Sequence, residues 1–263
     1  IIMAIIIKFL SLLGQFAINF LIVIGKLSIF TFNSLFRIFI PPFYIKNIFQ
    51  QMISVGYLSL PVVGLTTLFT GMALALQIYE GASRFNAEGT VAFVVAIGMV
   101  RELSPVLAGL MVAGRVGAAM AAEIGTMRVT EQIDALYTLS TDPFKYLMAP
   151  RLIAGITMLP LLVLVGDIIG ISGGFFISTN LLELNKTTYI KNTVDFLQTI
   201  DVVSGLVKAA FFGFIVSLMG CYNGFYSKGG AQGVGAAATN AVVSGSILIL
   251  SANLIITRLF FGF

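Results

Sequence analysis

The sequence predicts an all-α integral membrane protein, and three observations carry that reading. Hydrophobic residues make up 58% of the chain and charged residues only 10%, with a mean hydropathy of +1.03. A soluble domain would carry about one quarter charged residues, so the bilayer is the solvent that fits. The apolar residues are spread along the whole chain, which leaves no stretch for a soluble domain. Five successive runs are long enough to cross ~30 Å of hydrocarbon as helices.

The same composition excludes several classes. The chain has no histidine, so it holds no Ser-His or Cys-His catalytic pair and no His-ligated metal, and no catalytic or metal-binding residue is assigned. There is no GxxxxGK[ST] loop, so ATP is not bound by a P-loop of this chain. One cysteine, Cys221, rules out an internal disulfide. The net charge of +4 comes from scattered Lys and Arg, which reads as basic loops at a membrane face rather than a nucleic-acid footprint. Phe is abundant and Trp absent, a bias that resembles translation from an AT-rich plastid genome. A plastid inner envelope is therefore the favoured location, with a bacterial inner membrane as the alternative.

Residues 1–47 form an N-terminal region of their own, and residues 48–263 the transmembrane domain. In the first, Lys8, Ser11, Gln15, Asn19, Lys26, Asn33 and Arg37 recur at helical spacings and make one narrow polar stripe. A helix so striped, with cationic ends, fits the membrane interface; a sixth spanning helix is the alternative. Pro41-Pro42 ends the region.

The first span covers residues 54–78, with Pro61, Gly64 and Gly71 predicting a kink. A loop at 79–89 holds Glu80, Arg84 and Glu88. The second span, 90–122, is too long for one perpendicular crossing and must tilt or protrude. The third covers 151–177 and contains Pro160 and Asp167. A polar segment with one short helix fills 178–201, and spans four and five occupy 202–221 and 236–259. Counted with the N-terminus inside, Lys8, Lys26, Arg37, Lys46, Arg115, Arg128, Lys145, Arg151 and Lys228 fall on the cytoplasmic-type face. Arg84, Lys186, Lys191, Lys208 and Arg258 fall on the other, and that excess sets the orientation.

Arg101 and Glu102 stand inside the second span. As neighbours they point about 100° apart on a helix, so each must meet a different partner. A charge at the centre of a spanning helix costs about 2.5–3.5 kcal/mol, which brings such groups to a cavity or to a packing clamp; both readings stand. Pro105 has no N–H for the carbonyl of Arg101, leaving that oxygen for a ligand, a water or another helix. Gly109, Ala113, Gly117 and Ala121 form one row of small residues, and Gly114, Ala118 and Ala122 a second; Gly166, Gly170 and Gly174 repeat the device in span three. Rows of this kind allow backbone-to-backbone packing, here within the chain. Beyond Ala122 a polar helix carries Glu123, Arg128, Glu131, Gln132 and Asp134 with an aliphatic face (Ile124, Ile133, Leu136, Leu139), suited to docking in a partner's groove. Asp142-Pro143 has the form of an N-cap and N1 proline opening another short helix.

The run RELSPVLAGLMVAGRVGAAMAAEIGTMRVTEQIDAL at 101–136 resembles the signature of MlaE-type permeases, the membrane subunits of ABC lipid transporters. PLL at 160–162, GCYNG at 220–224 and GGAQGVG at 229–235 extend the resemblance over the chain from about residue 45 onward. The resemblance implies five spanning helices preceded by an N-terminal interfacial (elbow) helix, with a cytoplasmic coupling helix between spans two and three. It implies a homodimer, a cytoplasmic or stromal ABC ATPase that binds the ATP, an MCE-type lipid-binding protein on the other face, and membrane lipids as cargo. Arg101, Glu102 and Leu103 would line the lipid cavity, and Glu123, Arg128, Glu131, Gln132 and Asp134 would couple to the ATPase. The family usually has Arg after GVG and Asp in the last helix, where this chain has Ala236 and Asn253; their joint absence suggests a lost ion pair. Set against the permease reading are an ion-coupled secondary transporter, weakened by the absence of an inverted repeat, and an intramembrane enzyme built on Asp167, which lacks a second acid.

Overall fold

A computed structural model describes residues 2–262. The side chains of residues 1–13, 16, 17, 20 and 263 are outside the described set, and with them Lys8 and Ser11 of the polar stripe. The described chain is helical throughout, with six helices long and apolar enough to cross a membrane.

Helix α1 runs unbroken over Ile2–Ile38, and its window Leu21–Ile38 is one of those six. By length and composition the chain therefore carries one more such helix than the five expected. Phe30 and Ser34 are buried, while Leu21, Val23, Ile29, Phe32 and Phe36 are exposed around the rest of the helix. Arg37 of the stripe turns inward to Asp142 rather than to open solvent.

Helices α2 (Ile45–Val55) and α3 (Leu60–Ser83) are separated by a short 3₁₀ turn, so the kink expected from Pro61 falls at the start of the span. Proline fits there because the first turn of a helix needs no donor from it. The chain then forms one line of helix from α4 (Val91–Gly98) through α5 (Ser104–Val112) to α6 (Ala118–Val129). Two π turns interrupt it, at Met99–Leu103 and Ala113–Gly117. In the first, the Ser104 N–H reaches back five residues to the Met99 carbonyl. Pro105 is the cause on the sequence side, since its missing N–H breaks the regular ladder at this point.

The small α7 (Gln132–Thr138) makes one end of the molecule. The return helix α8 (Ala149–Asn180) is entered through a third π turn, Phe144–Met148. Asp142 accepts from the Phe144 N–H at 2.9 Å, as a cap should. It opens the third span itself, however, and not a separate short helix. Helix α9 (Lys186–Phe196) makes the opposite end, and α10 (Thr199–Phe225) and α11 (Gly230–Phe261) complete the bundle.

Glycines set the tightest crossings. A side chain at Gly71 of α3 would overlap the Gly170 carbonyl of α8, and one at Gly213 of α10 would overlap the Gly155 carbonyl. Gly109 and Gly117 pack on Phe212 and Val216 of α10, so the first small-residue row works within the chain as expected. Gly114 of the second row faces open space.

Candidate functional site

Two ion pairs join α10 to the first π turn. Arg101 donates to Asp201 from Nη2 at 2.6 Å and from Nε at 2.7 Å. Asp201 is fully buried and also takes the Gln198 N–H at 3.0 Å, so a single carboxylate caps α10 and neutralises the arginine. The guanidinium lies over the Phe261 ring, 4.1 Å from its centroid. Glu102 faces elsewhere, as the 100° offset requires. Its Oε1 accepts from Lys208 Nζ at 2.8 Å and Thr257 Oγ1 at 2.9 Å, and its Oε2 from Asn253 Nδ2 at 2.8 Å.

Lys208 also donates to the Arg101 carbonyl at 2.7 Å. The oxygen released by Pro105 has thus found another helix. Lys208 is fully buried, which corrects its assignment to the outer face. A lysine that reads as a helix-end charge in sequence is, in the structure, the counter-ion of Glu102. No sequence signal near Lys208 marks it; only the pairing demand of Glu102 does.

The cluster is electroneutral, with two cations and two carboxylates. The Arg101 and Glu102 side chains stay 31% and 38% exposed on the monomer surface, so a packing clamp and an accessible polar face coexist in the same residues. Asp201 stands in the first turn of α10 and Lys208 two turns further in. The cluster therefore lies toward the α9 end and not at mid-depth. Leu103 packs against the core around Met99 and Tyr189, and so supports the cluster from behind. Asp167 is buried, with Oδ1 unpartnered among the described residues, and makes no bond to Arg101 or Glu102.

Asn253 corrects a second expectation. Residues 236 and 253 lie on the same helix, about 25 Å apart at ~1.5 Å per residue, so they cannot represent one lost ion pair within the chain. With Asn at 253, one lysine balances one carboxylate at Glu102.

At the other end, the polar residues after Ala122 do not share one helix. Glu123 and Arg128 belong to α6, and the chain breaks at Thr130–Glu131, where Glu131 takes φ 58°. Arg128 and Asp134 close the resulting hairpin at 2.7 Å, with the Arg128 guanidinium over Phe225. Glu123 pairs with the buried Arg151 of α8 at 2.8 Å, while Arg151 also donates to the Leu147 carbonyl. Glu131, Gln132 and Asp134 are exposed, and Ile133 is buried beneath them. Leu139, expected on the aliphatic face, is 73% exposed. Sequence reasoning missed Arg37, Asp142 and Lys145, which fasten α1 to this end through the Arg37–Asp142 pair and a Lys145 bond to the Pro41 carbonyl.

Comparisons with known proteins give the family. The family model for Permease MlaE matches residues 48–259. A probable ABC transporter permease protein of Rickettsia prowazekii is 55% identical over 254 residues, 97% of this chain and 98% of the relative. The intermembrane phospholipid transport system permease protein MlaE of Haemophilus influenzae is 33% identical, over 98% of this chain and 99% of its own. The chloroplastic protein TRIGALACTOSYLDIACYLGLYCEROL 1 of Arabidopsis thaliana is 37% identical over 82% of this chain and 62% of its own. With a family match over most of its length and relatives aligned nearly end to end, the chain belongs to the MlaE permease family.

Proposed function

We propose that this multi-pass membrane protein is the permease subunit of an ABC transporter that moves phospholipid or a related glycerolipid across or between membranes. ATP is hydrolysed by a separate subunit seated on the α7 end, and the permease acts as a homodimer. A lipid-binding protein of the MCE type receives or delivers cargo at the α9 end. The names of the relatives support the reading: two are ABC or phospholipid-transport permeases and one bears the name of a glycolipid. A bacterial inner membrane replaces the plastid envelope as the location, because the Rickettsia relatives match at 54–58% against 37% for the chloroplast protein. Compositional bias reflects a genome's base content and does not encode a compartment.

The observation that carries the mechanism is a single line of helix, Glu88–Val129, interrupted by two π turns, with the charged cluster in its first half and the α7 hairpin at its far end. Such a line connects movement of the hairpin to Arg101 and Glu102. Arg101 offers positive charge to a headgroup, Glu102 is held in place by Lys208, and Leu103 fixes the turn from the core side. Glu123 and Arg128 brace the hairpin on α8 and α10, and the exposed Glu131 and Gln132, with Asp134 held beside them by Arg128, form the ATPase surface.

The test is co-purification from a strain expressing the whole transporter. Glu131→Lys with Gln132→Lys, neither of which holds the hairpin, is expected to release the ATPase while the permease elutes unchanged; an intact complex sinks the coupling role. In the same preparations, Arg101→Gln with Asp201→Asn removes the charges while keeping the cap of α10. ATP-dependent lipid transfer should fall at least tenfold with the complex intact. Transport driven by an ion gradient without the ATPase would favour the secondary-transporter reading instead.

A further inference from the structure

Helix α9 is firmly placed yet has one unpartnered side. Asn185 caps it by accepting from Thr187 and Thr188. Buried Tyr189 packs edge-on to Phe175, Asn192 donates to the Gly89 carbonyl, and Phe196 stacks on Phe93. These anchors occupy one face of the helix. On another, Ile190 is 53% and Val194 68% exposed, one helical turn apart.

That pair faces an open groove of about 210 Å³ bounded by Ile171, Ser172 and Phe175 of α8. Ile190 and Val194 also belong to an exposed side of α9 that bears Lys186, Lys191 and Asp195. Apolar groove and charged mouth are therefore continuous. The groove is fed from the other direction by a stripe along α8: Leu161, Val165, Ile168, Ser172 and Phe176 are all exposed, at helical spacings of three and four. Such a stripe on a spanning helix faces acyl chains, and it leads to two lysines just beyond the end of that helix.

We infer that the α8–α9 groove is a binding site for one phospholipid of the surrounding leaflet. An acyl chain would lie along the α8 stripe under Ile190 and Val194, and the phosphate would sit between Lys186 and Lys191. Asp195 is the nearby acid, placed to accept from a headgroup hydroxyl or ammonium. The charge match is what selects the occupant: an apolar groove ending in two exposed lysines fits a phosphate-bearing lipid better than an apolar peptide. Membrane embedding alone supports this site, and it stands or falls independently of the transport reading.

The test uses the full chain in nanodiscs, with Phe176→Trp as the reporter, since the sequence has no other tryptophan. Brominated phosphatidylglycerol diluted into phosphatidylcholine should quench that tryptophan at a low mole fraction. Lys186→Gln with Lys191→Gln should raise the half-quenching fraction about tenfold, in line with the attraction of basic residues to anionic lipid. Brominated phosphatidylcholine, whose choline cancels the phosphate charge, should quench only at higher mole fraction and equally in both proteins. Equal quenching by both lipids in both proteins would mean ordinary boundary lipid and overturn the site. Unaltered phosphatidylglycerol quenching in the lysine variant would overturn the headgroup assignment, and competition by millimolar inorganic phosphate would make the ligand a free anion. Matching elution and helical circular dichroism of the variants keep misfolding apart from lost binding.

Discussion

Lys208 shows how one residue joins three helices: its Nζ holds the Glu102 carboxylate and the Arg101 carbonyl, while Glu102 in turn takes Asn253 and Thr257 of α11. Removing Lys208 leaves the part-exposed Glu102 carboxylate without its cation and with only Asn253 and Thr257 as donors. Lys208→Met is thus expected to lower the thermal midpoint sharply, and Lys208→Met with Glu102→Gln to recover most of the loss. Equal midpoints for the single and double variants would contradict the pairing. At this scale the sequence was informative about demand and silent about supply. Adjacent charges and a proline four residues on announce that Arg101, Glu102 and a freed carbonyl need partners. Nothing local to Asp201 or Lys208, about a hundred residues downstream, says that they answer it.

Among the elements, α8 depends most on what it lacks. It crosses α3 at Gly71–Gly170 and α10 at Gly155–Gly213, each time with backbone against backbone. Gly71→Ala and Gly213→Ala should each destabilise by about 1–3 kcal/mol, because a methyl group there forces the crossing apart. Gly81→Ala, in the same α3 but with nothing within 4 Å, should be neutral or slightly stabilising, since alanine is the better helix former. Thermal unfolding in detergent compares the three; a Gly81→Ala loss as large as the others would refute the packing argument. The spacing of Gly166, Gly170 and Gly174 made this face visible in advance. The π turns were not visible, because a one-residue insertion shifts the helical phase by about 100° and a span apolar on nearly every side has no phase to show it. The break at Glu131 escaped for a similar reason: a left-handed glutamate carries none of the glycine or asparagine signature of such a turn.

For the molecule as a whole, the α7 end gathers Arg37, Lys46, Arg128, Lys145, Arg151 and Lys228, whereas the α9 end has Arg84, Lys186, Lys191 and Arg258. With Lys208 moved to the interior the excess still lies at the α7 end, and it keeps the sign that the sequence count gave. A membrane-impermeant maleimide applied to intact spheroplasts should label Lys186→Cys from outside and Lys228→Cys only after permeabilisation. Cys221, fully buried, supplies little background. The reverse pattern would invert the assignment of both ends. Spans two to five were legible in place and order from hydropathy, because each is a long run of apolar residues, while their helices run on by two to seven residues at the ends. The first helix was ambiguous, because its sparse polar residues satisfy the criteria for an interfacial helix while its apolar window satisfies those for a crossing.

The charged cluster also constrains how the chain is made. Arg101 precedes Asp201 by 100 residues and Glu102 precedes Lys208 by 106, so two charges leave the ribosome well before their counter-ions exist. At ~5–20 residues per second of synthesis that interval is roughly 5–20 s. Throughout it, the helix bearing Arg101 and Glu102 has no neutralising neighbour on α10 or α11, and each charge adds to the cost of releasing that helix into lipid. A nascent chain stopped before Asp201 is therefore expected to hold that helix in the bilayer less firmly than a chain that includes α10, a difference that alkaline extraction of the truncated chains would read.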